Sequence, residues 1–234
     1  MKKILLSFAV AALCPAIAFA QLNSFSFGIK GGVNLSKFKT GDFVTTRLNA
    51  NGTPQVGVDG KELRDNIRES FDSKTGWAYG IYTRFGRNLY LQPELLVSSK
   101  KGSFEIIRDV NGQQTTEVVT SRVTNFDVPI LIGLKGGPLR VVAGPLISFR
   151  INDDDRLRDA LRQYTSGSIN DAFAKASYGY QIGAGLDIFR FGIDVRHEGS
   201  LTNVSVIDLG TDANRTQFNQ KLKSWQVTLA YRIF

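Results

Sequence analysis

Apolar and polar residues alternate with a period of two in eight separate segments of the chain, and no other feature limits its fold as strongly. Successive side chains of a β-strand point to opposite faces of a sheet, so this period predicts strands with one apolar and one polar face. The predicted strands are Ser24–Ser36, Gly76–Gly86, Leu89–Lys101, a fourth that ends with Phe126–Leu134, Leu139–Ile151, Ala176–Ile188, Phe191–Leu201 and Lys221–Phe234. We therefore expect an all-β fold, an eight-stranded antiparallel β-barrel.

The polar face of these strands favours a barrel in a membrane over a soluble carrier. A soluble barrel holds its apolar face inside around a hydrophobic ligand, whereas a membrane barrel turns that face to lipid. The polar face mixes both signs of charge with several glycines, which suits pairing across a narrow interior; the charged residues are Lys30, Arg84, Glu94, Asp127, Arg140, Asp187, Asp194 and Arg196. A mean hydropathy of −0.10 is compatible with this, because alternation hides a membrane barrel from averaging.

Aromatic residues of the apolar face lie near the strand ends. The group at the predicted outer ends is Trp77, Phe149, Tyr178 and Trp225. The group at the predicted inner ends is Phe25, Phe85, Phe191 and Tyr231. Aromatic girdles on either side of an aliphatic belt are typical of a bilayer interface. We therefore predict an eight-stranded antiparallel transmembrane β-barrel.

Long and short connections alternate along the chain. Long polar segments follow strands one, three, five and seven (37–75, 102–117, 152–175 and 202–220), and tight turns follow strands two, four and six (87–88, 136–138 and 189–190). This asymmetry predicts four long extracellular loops and short periplasmic turns.

The Asn111-Gly112 pair predicts the register of one hairpin. This dipeptide favours a type I′ turn, which pairs Val110 with Gln113 and hence residues whose numbers sum to 223. Leu89 then faces Leu134 and Val97 faces Phe126, so the second long loop is predicted to be a β-ribbon. Pro93, Pro129 and Pro145 each lack a ladder donor, and we expect bulges or local hydration there.

The first twenty residues have the composition of a secretory signal. Two lysines precede an apolar stretch from Ile4 to Ile17, and Ala18-Phe19-Ala20 provides a small-x-small cleavage motif. We predict cleavage after Ala20, leaving residues 21–234 as one outer-membrane barrel domain; a lipoprotein anchored through Cys14, the only cysteine, is the less favoured alternative. Removing Lys2 and Lys3 lowers the formal net charge from +8 to +6.

The predicted export limits which partners this basic chain can have. It argues against nucleic acid and favours outer-membrane lipid and anionic lipopolysaccharide, with the outer-membrane assembly machinery needed for insertion. The loops are candidates for binding a protein partner.

Motifs that could carry chemistry are few. His197, the only histidine, lies beside Glu198 with Ser200 and Ser224 predicted nearby, which resembles an outer-membrane acyl hydrolase; an interfacial aromatic-like role is favoured. Asp153-Asp154-Asp155 could attract Ca²⁺, but Asp153 is interpreted instead as the N-cap of a short helix in the third loop, with Leu157, Ala160, Leu161 and Tyr164 at helical spacing. Residues 61–72 suggest another surface helix. No catalytic, cofactor or metal residue is predicted.

Several strand sequences resemble the porin-like, PorT-type outer-membrane β-barrel family. The similarity lies in Phe27–Ser36, Leu89–Gly102, Phe126–Lys135, Gly183–Asp187, Asp194–Asn203 and Tyr231–Phe234, and it covers nearly all strands but almost none of the long loops. The resemblance implies an eight-stranded barrel inserted by the outer-membrane assembly machinery, and Phe234 resembles its C-terminal assembly signal.

Three functions are compatible with the sequence. A non-enzymatic structural or surface-binding role through the extracellular loops is favoured. A narrow, porin-like channel for small solutes is the second possibility, although eight strands leave little room for water once charged side chains fill the interior. A lipid acyl hydrolase using His197 is the third.

Overall fold

A computed structural model describes residues 25–70, 72–110, 113–153, 176–203, 205–211 and 214–234. In these ranges the regular structure is a single antiparallel sheet of eleven strands. They are β1 (Phe25–Thr40), β2 (Phe43–Thr46), β3 (Arg64–Glu69), β4 (Lys74–Gly86), β5 (Leu89–Val110), β6 (Gln113–Gly136), β7 (Leu139–Asp153), β8 (Ala176–Ile188), β9 (Phe191–Ser200), β10 (Ser205–Thr211) and β11 (Asn214–Arg232). The alternating segments therefore do form strands, as predicted.

Eight of the eleven strands pair in a closed circuit. The order is β1, β4, β5, β6, β7, β8, β9 and β11, and β11 pairs again with β1. The other three strands lie outside the circuit: β2 pairs with β3, β3 with β5, and β10 with β11. These eight strands are the eight alternating segments of the sequence.

The registers fix the stagger of the circuit. Paired residues lead from Phe25 through Phe85, Leu91, Ile132, Ala143, Ile182, His197 and Trp225 back to β1 at Leu35, ten residues beyond the start. With about 3.3 Å per residue and about 4.8 Å between strands, this stagger gives a strand tilt of about 40° and a backbone radius of about 8 Å. An enclosure of this size is filled by its own side chains.

Exposure follows the alternation closely. Along β1, Ile29, Val33 and Leu35 are exposed, while Lys30, Asn34 and Ser36 are buried inside the circuit. The predicted aromatic residues also lie on the outer face, where Phe25 packs on Phe85 and Phe191 on Tyr231 with ring centroids 5.3 and 5.2 Å apart. The outer face is thus apolar, and the polar face is enclosed.

The two ends of the circuit differ. At one, the turn end, tight turns join neighbouring strands at 87–88, 137–138 and 189–190. Gly137 has a positive φ of 62°, as glycine readily allows, whereas Phe189 adopts a φ of 55° that side chains disfavour. The opposite end, the loop end, carries the long connections.

The long connections contain more sheet than the sequence suggests. β5 and β6 pair without interruption of register from Leu89↔Leu134 to Val110↔Gln113, so the predicted 223 register and ribbon are confirmed. The last long connection is also a ribbon, since β10 pairs with β11 from Ser205↔Gln220 to Thr211↔Asn214. The Asn111-Gly112 turn lies outside the described residues.

The helix predicted at 61–72 is wrong, because Arg64–Glu69 is strand β3. Asp65 and Ile67 are buried there and the residues between and beside them are exposed, which is the period of a strand. The predicted helix of the third loop, with Leu157 and Tyr164, and the acidic residues Asp154 and Asp155 fall outside the described residues.

The strand prolines do not make bulges. The β5–β6 pairing has the same register before and after Pro93 and Pro129, and the β7–β8 pairing continues through Pro145↔Tyr180. The β6–β7 pairing has a register shift between Thr124 and Asn125, away from the three prolines. In the described ranges there is no helix long and apolar enough to cross a membrane.

Candidate functional site

Ion pairs cross the full width of the enclosed interior. β5 and β9 lie four strands apart in the circuit of eight, and so do β4 and β8. Arg196 of β9 donates to Glu94 of β5 through both terminal nitrogens, at 2.9 Å each. Nearer the turn end Arg84 reaches Asp187 at 3.1 Å, and nearer the loop end Lys100 reaches Glu198 at 2.5 Å. Three charged bridges therefore span the diameter at three levels.

Further charged groups link the three bridges. Arg140 contacts both Asp187 and Asp194, and Arg196 contacts Asp194 at 3.3 Å. Lys30 lies 3.2 Å from Glu94 and 3.5 Å from Asp194. These contacts join the turn-end and central bridges into one network.

Neutral side chains complete the network. Gln92 accepts from Arg84 at 3.0 Å and donates to Glu94. Gln181 accepts from Arg196 and donates to Glu198 at 3.3 Å, which connects the central and loop-end bridges. Lys100 also contacts Asp127 at 2.8 Å.

The enclosed charges balance. Lys135 contacts Asp187 from the turn end and is partly exposed. Without it, five buried cations and five anions face one another in the network, namely Lys30, Arg84, Lys100, Arg140 and Arg196 against Glu94, Asp127, Asp187, Asp194 and Glu198. Their side chains are at most 14% exposed. An isolated buried charge is very costly, so a filled interior of this polarity requires such pairing.

Apolar groups pack at both ends of this network. Phe38, Val123 and Leu222 form a buried cluster at the loop end. Tyr90, Leu131 and Val142 form another toward the turn end, where the Arg84 guanidinium lies 4.6 Å from the centre of the Tyr90 ring.

Glycine makes room for both aromatic rings. A Cβ at Gly133 would overlap the Tyr90 ring, and one at Gly102 would overlap the Phe38 ring. These close approaches fill the cross-section of the interior with side chains.

A basic cavity opens at the turn end. Its volume is about 750 Å³, and its lining includes five cationic residues, Arg84, Arg87, Lys135, Arg190 and Arg232. No acidic side chain of the described residues lines it. Arg84 and Lys135 are held at its rim by Asp187, at 3.1 and 2.7 Å. The cavity is thus lined by Arg84, the cation of the first diametric ion pair.

The loop end carries a folded cap. Ile67 of β3 and Phe104 and Ile106 of β5 are wholly buried there. Asp65, also buried, accepts two hydrogen bonds of 2.7 Å from Arg47 and lies 3.8 Å from Arg108. We refer to β2, β3 and the outer parts of β5 and β6 as the cap; its apolar core and buried ion pair distinguish it from a set of loose loops.

The structure does not bring His197 and Ser224 together, as the hydrolase alternative would require. His197 lies on the outer face between Tyr180 and Trp225, with ring centroids 6.0 and 5.0 Å away. Ser224 is buried on the opposite, inner face, and Glu198 next to His197 is bound to Lys100 inside. The histidine therefore packs among aromatic rings on the outer face.

The eight charged residues predicted to face the interior all belong to the network. The sequence did not show which of them pair, nor that Lys100 and Glu198 form the third bridge. Within the described ranges no group of three or more His, Cys, Asp or Glu residues could hold a metal ion.

One family model matches most of the chain. The chain belongs to the outer membrane protein β-barrel domain family, whose model matches residues 19–206. It is also similar to the solid-state NMR structure of the outer membrane protein AlkL in DMPC lipid bilayers, with 13% identity over 88% of this chain and 90% of that one and a TM-score of 0.42. No curated protein matches the chain. This family membership identifies the chain as an outer-membrane β-barrel protein.

Proposed function

We propose that this protein is a closed, non-enzymatic outer-membrane barrel of eight transmembrane strands that displays a folded cap at the cell surface. The supporting observation is the charge-balanced network that crosses the interior at three levels. A solute passing through would have to break pairs such as Arg196–Glu94, whose two side chains are fully buried. Breaking a buried ion pair costs about 3–5 kcal/mol, and several would have to open together.

The outer face supports the membrane assignment. Phe25 and Leu35 mark the two edges of the apolar face on β1, and ten residues at a tilt of about 40° rise about 25 Å, the height of the apolar band in outer-membrane barrels. Exposed apolar residues cover that height, which a soluble protein rarely tolerates.

The orientation follows from the asymmetry of the ends. Short turns face the periplasm in barrels of this class, so the turn end is assigned to the periplasm and the cap to the outside. We also propose that cleavage after Ala20 removes residues 1–20 and that the assembly machinery inserts the barrel. The same proposal places the protein in the PorT-type branch. The cap is the surface offered to a protein partner, because it is folded and projects beyond the apolar face.

Planar-bilayer recording tests the closed interior. The purified protein should insert without steady openings in 1 M KCl. A charge-balanced variant, Glu94→Ala with Arg196→Ala, removes the central bridge without changing net charge and should show small openings.

A matched double variant on the surface provides the control. Glu62→Ala with Arg64→Ala removes an exposed pair of the same two residue types, and it should stay silent. Steady, large openings of the unmodified protein would overturn the proposal and support the porin-like alternative.

A further inference from the structure

Six cations lie on the outer face just beyond the aromatic girdle of the loop end. On β1 and β11, Lys37 is paired directly with Lys223, and Lys39 with Lys221. Further around the circuit, two and three strands from β1, Lys101 of β5 is paired with Arg122 of β6. We call the four lysines of β1 and β11 the lysine patch.

Register places the lysine patch at the edge of the apolar face. Leu35 and Trp225 are paired, exposed on the outer face and part of the apolar edge. Lys37 and Lys223 follow two residues nearer the loop end, which is one step along the same face of each strand. Their neighbours Ser36 and Phe38 are buried inside, so the lysines point away from the interior.

The two lysine pairs of the patch place like charges directly beside each other. Directly paired side chains have Cβ atoms about 4.5–5.5 Å apart, and like charges at that distance are destabilising. Glu69, 3.5 Å from Lys37, is the single carboxylate in contact with the lysine patch among the described residues. Lys39, Lys221 and Lys223 form no ion pair with another described side chain.

We propose that the lysine patch binds the phosphate groups of lipid A in the outer leaflet. The inference rests on the proposed membrane assignment and names the lipid that this face meets. Anionic groups at the level of the lipid headgroups offset the repulsion between paired lysines, since each lysine gains an attraction to the charged surface. The aliphatic and aromatic residues below it, Leu35 and Trp225, contact the acyl chains of the same lipid.

Lipid titration followed by native mass spectrometry tests the assignment. The probes are lipid A carrying its phosphates, the same lipid after dephosphorylation, and inorganic phosphate as competitor. The unmodified protein should bind phosphorylated lipid A at least about tenfold more tightly than the dephosphorylated form. Inorganic phosphate at millimolar concentration should not displace the lipid; full displacement would show that a free anion is sufficient and would overturn the proposal.

Variants locate the site on the barrel. Replacing the four lysines of the patch by Gln should weaken binding about tenfold or more, and replacing them by Arg should preserve it. The control carries four Gln substitutions elsewhere, at Lys61, Arg64, Arg87 and Arg190, so its net charge matches; it should bind like the unmodified protein. Equal losses in both sets would overturn the proposal.

A variant with fewer substitutions tests the site in case the fourfold variant does not fold. Lys221→Gln with Lys223→Gln removes half of the patch and should give an intermediate loss of affinity in protein with unchanged heat-modifiable gel mobility. Unchanged affinity in this folded protein would count against the site. Channel recordings are independent of this result, so failure of lipid binding would leave the closed interior standing.

Discussion

Glu94 holds the central bridge, and replacing it by Gln is the sharpest single perturbation of the interior. The Glu94 carboxylate accepts from Arg196 at 2.9 Å, from Lys30 at 3.2 Å and from Gln92, and its side chain is fully buried. Gln keeps the shape and removes the negative charge, leaving five cations against four anions. Arg196 and Lys30 would each retain Asp194, at 3.3 and 3.5 Å.

The magnitude follows from the loss of one partner in a buried network. Breaking a buried pair by removing one partner costs about 3–5 kcal/mol, and the surviving contacts to Asp194 place this variant near the lower figure. We expect the free energy of unfolding to fall by about 3 kcal/mol. The double variant Glu94→Gln with Lys30→Gln restores the balance of charge and should recover about 1 kcal/mol or more.

Urea unfolding in lipid vesicles measures these differences. Trp77 and Trp225, the only two tryptophans, report the transition by fluorescence. Glu62→Gln is the control, because Glu62 and its partner Arg64 are exposed, and it should change stability by less than about 0.5 kcal/mol. The reasoning is refuted if Glu94→Gln costs no more than Glu62→Gln, since the interior charges would then be hydrated as at the surface.

Three further substitutions test separate parts of the structure. Phe189→Gly should raise stability by about 1 kcal/mol in urea unfolding, because the residue has a φ of 55°; a lower midpoint would contradict the assigned turn. Gly133→Ala should cost about 1–3 kcal/mol by displacing the Tyr90 ring, whereas Gly136→Ala, with open space around its Cβ, should be nearly neutral. Ile67→Ala should destabilise the cap by about 2–4 kcal/mol and speed its proteolysis without changing heat-modifiable mobility; loss of the folded band would show that cap and barrel unfold together.

The strands and their faces could be predicted because the period of two carries both. Lys30 and Ile29 differ by one position, and a single rule places one inside and the other outside. The register of β5 and β6 could be predicted as well, since Asn111-Gly112 specifies the geometry of its turn. These features depend only on residues close together in the chain.

The ion pairs could not be predicted from the same information. Arg196 and Glu94 are 102 residues apart, and their contact depends on the ten-residue stagger accumulated over all eight strands. Only one of the eight registers could be derived from a turn motif, so the stagger remained unknown. Prediction therefore reached the charges of the interior but not their partners.

The helix predicted at 61–72 was wrong for a local reason. Strand β3 contains Ile67 as its only aliphatic residue, and the other buried side chain in its centre is Asp65. Asp65 is buried because Arg47, directly after β2, and Arg108 of β5 neutralise it. An apolar pattern could not reveal a strand whose inner face is half charged.

Quenching of tryptophan fluorescence by brominated lipids tests the central claim, that the apolar face of this closed barrel meets the bilayer. Trp77 and Trp225 are exposed on the outer face near the loop end. In vesicles, lipids brominated near the headgroup should quench both strongly, lipids brominated near the chain ends should quench them weakly, and aqueous acrylamide should have little effect. Strong quenching by acrylamide with none from any brominated lipid would contradict the claim.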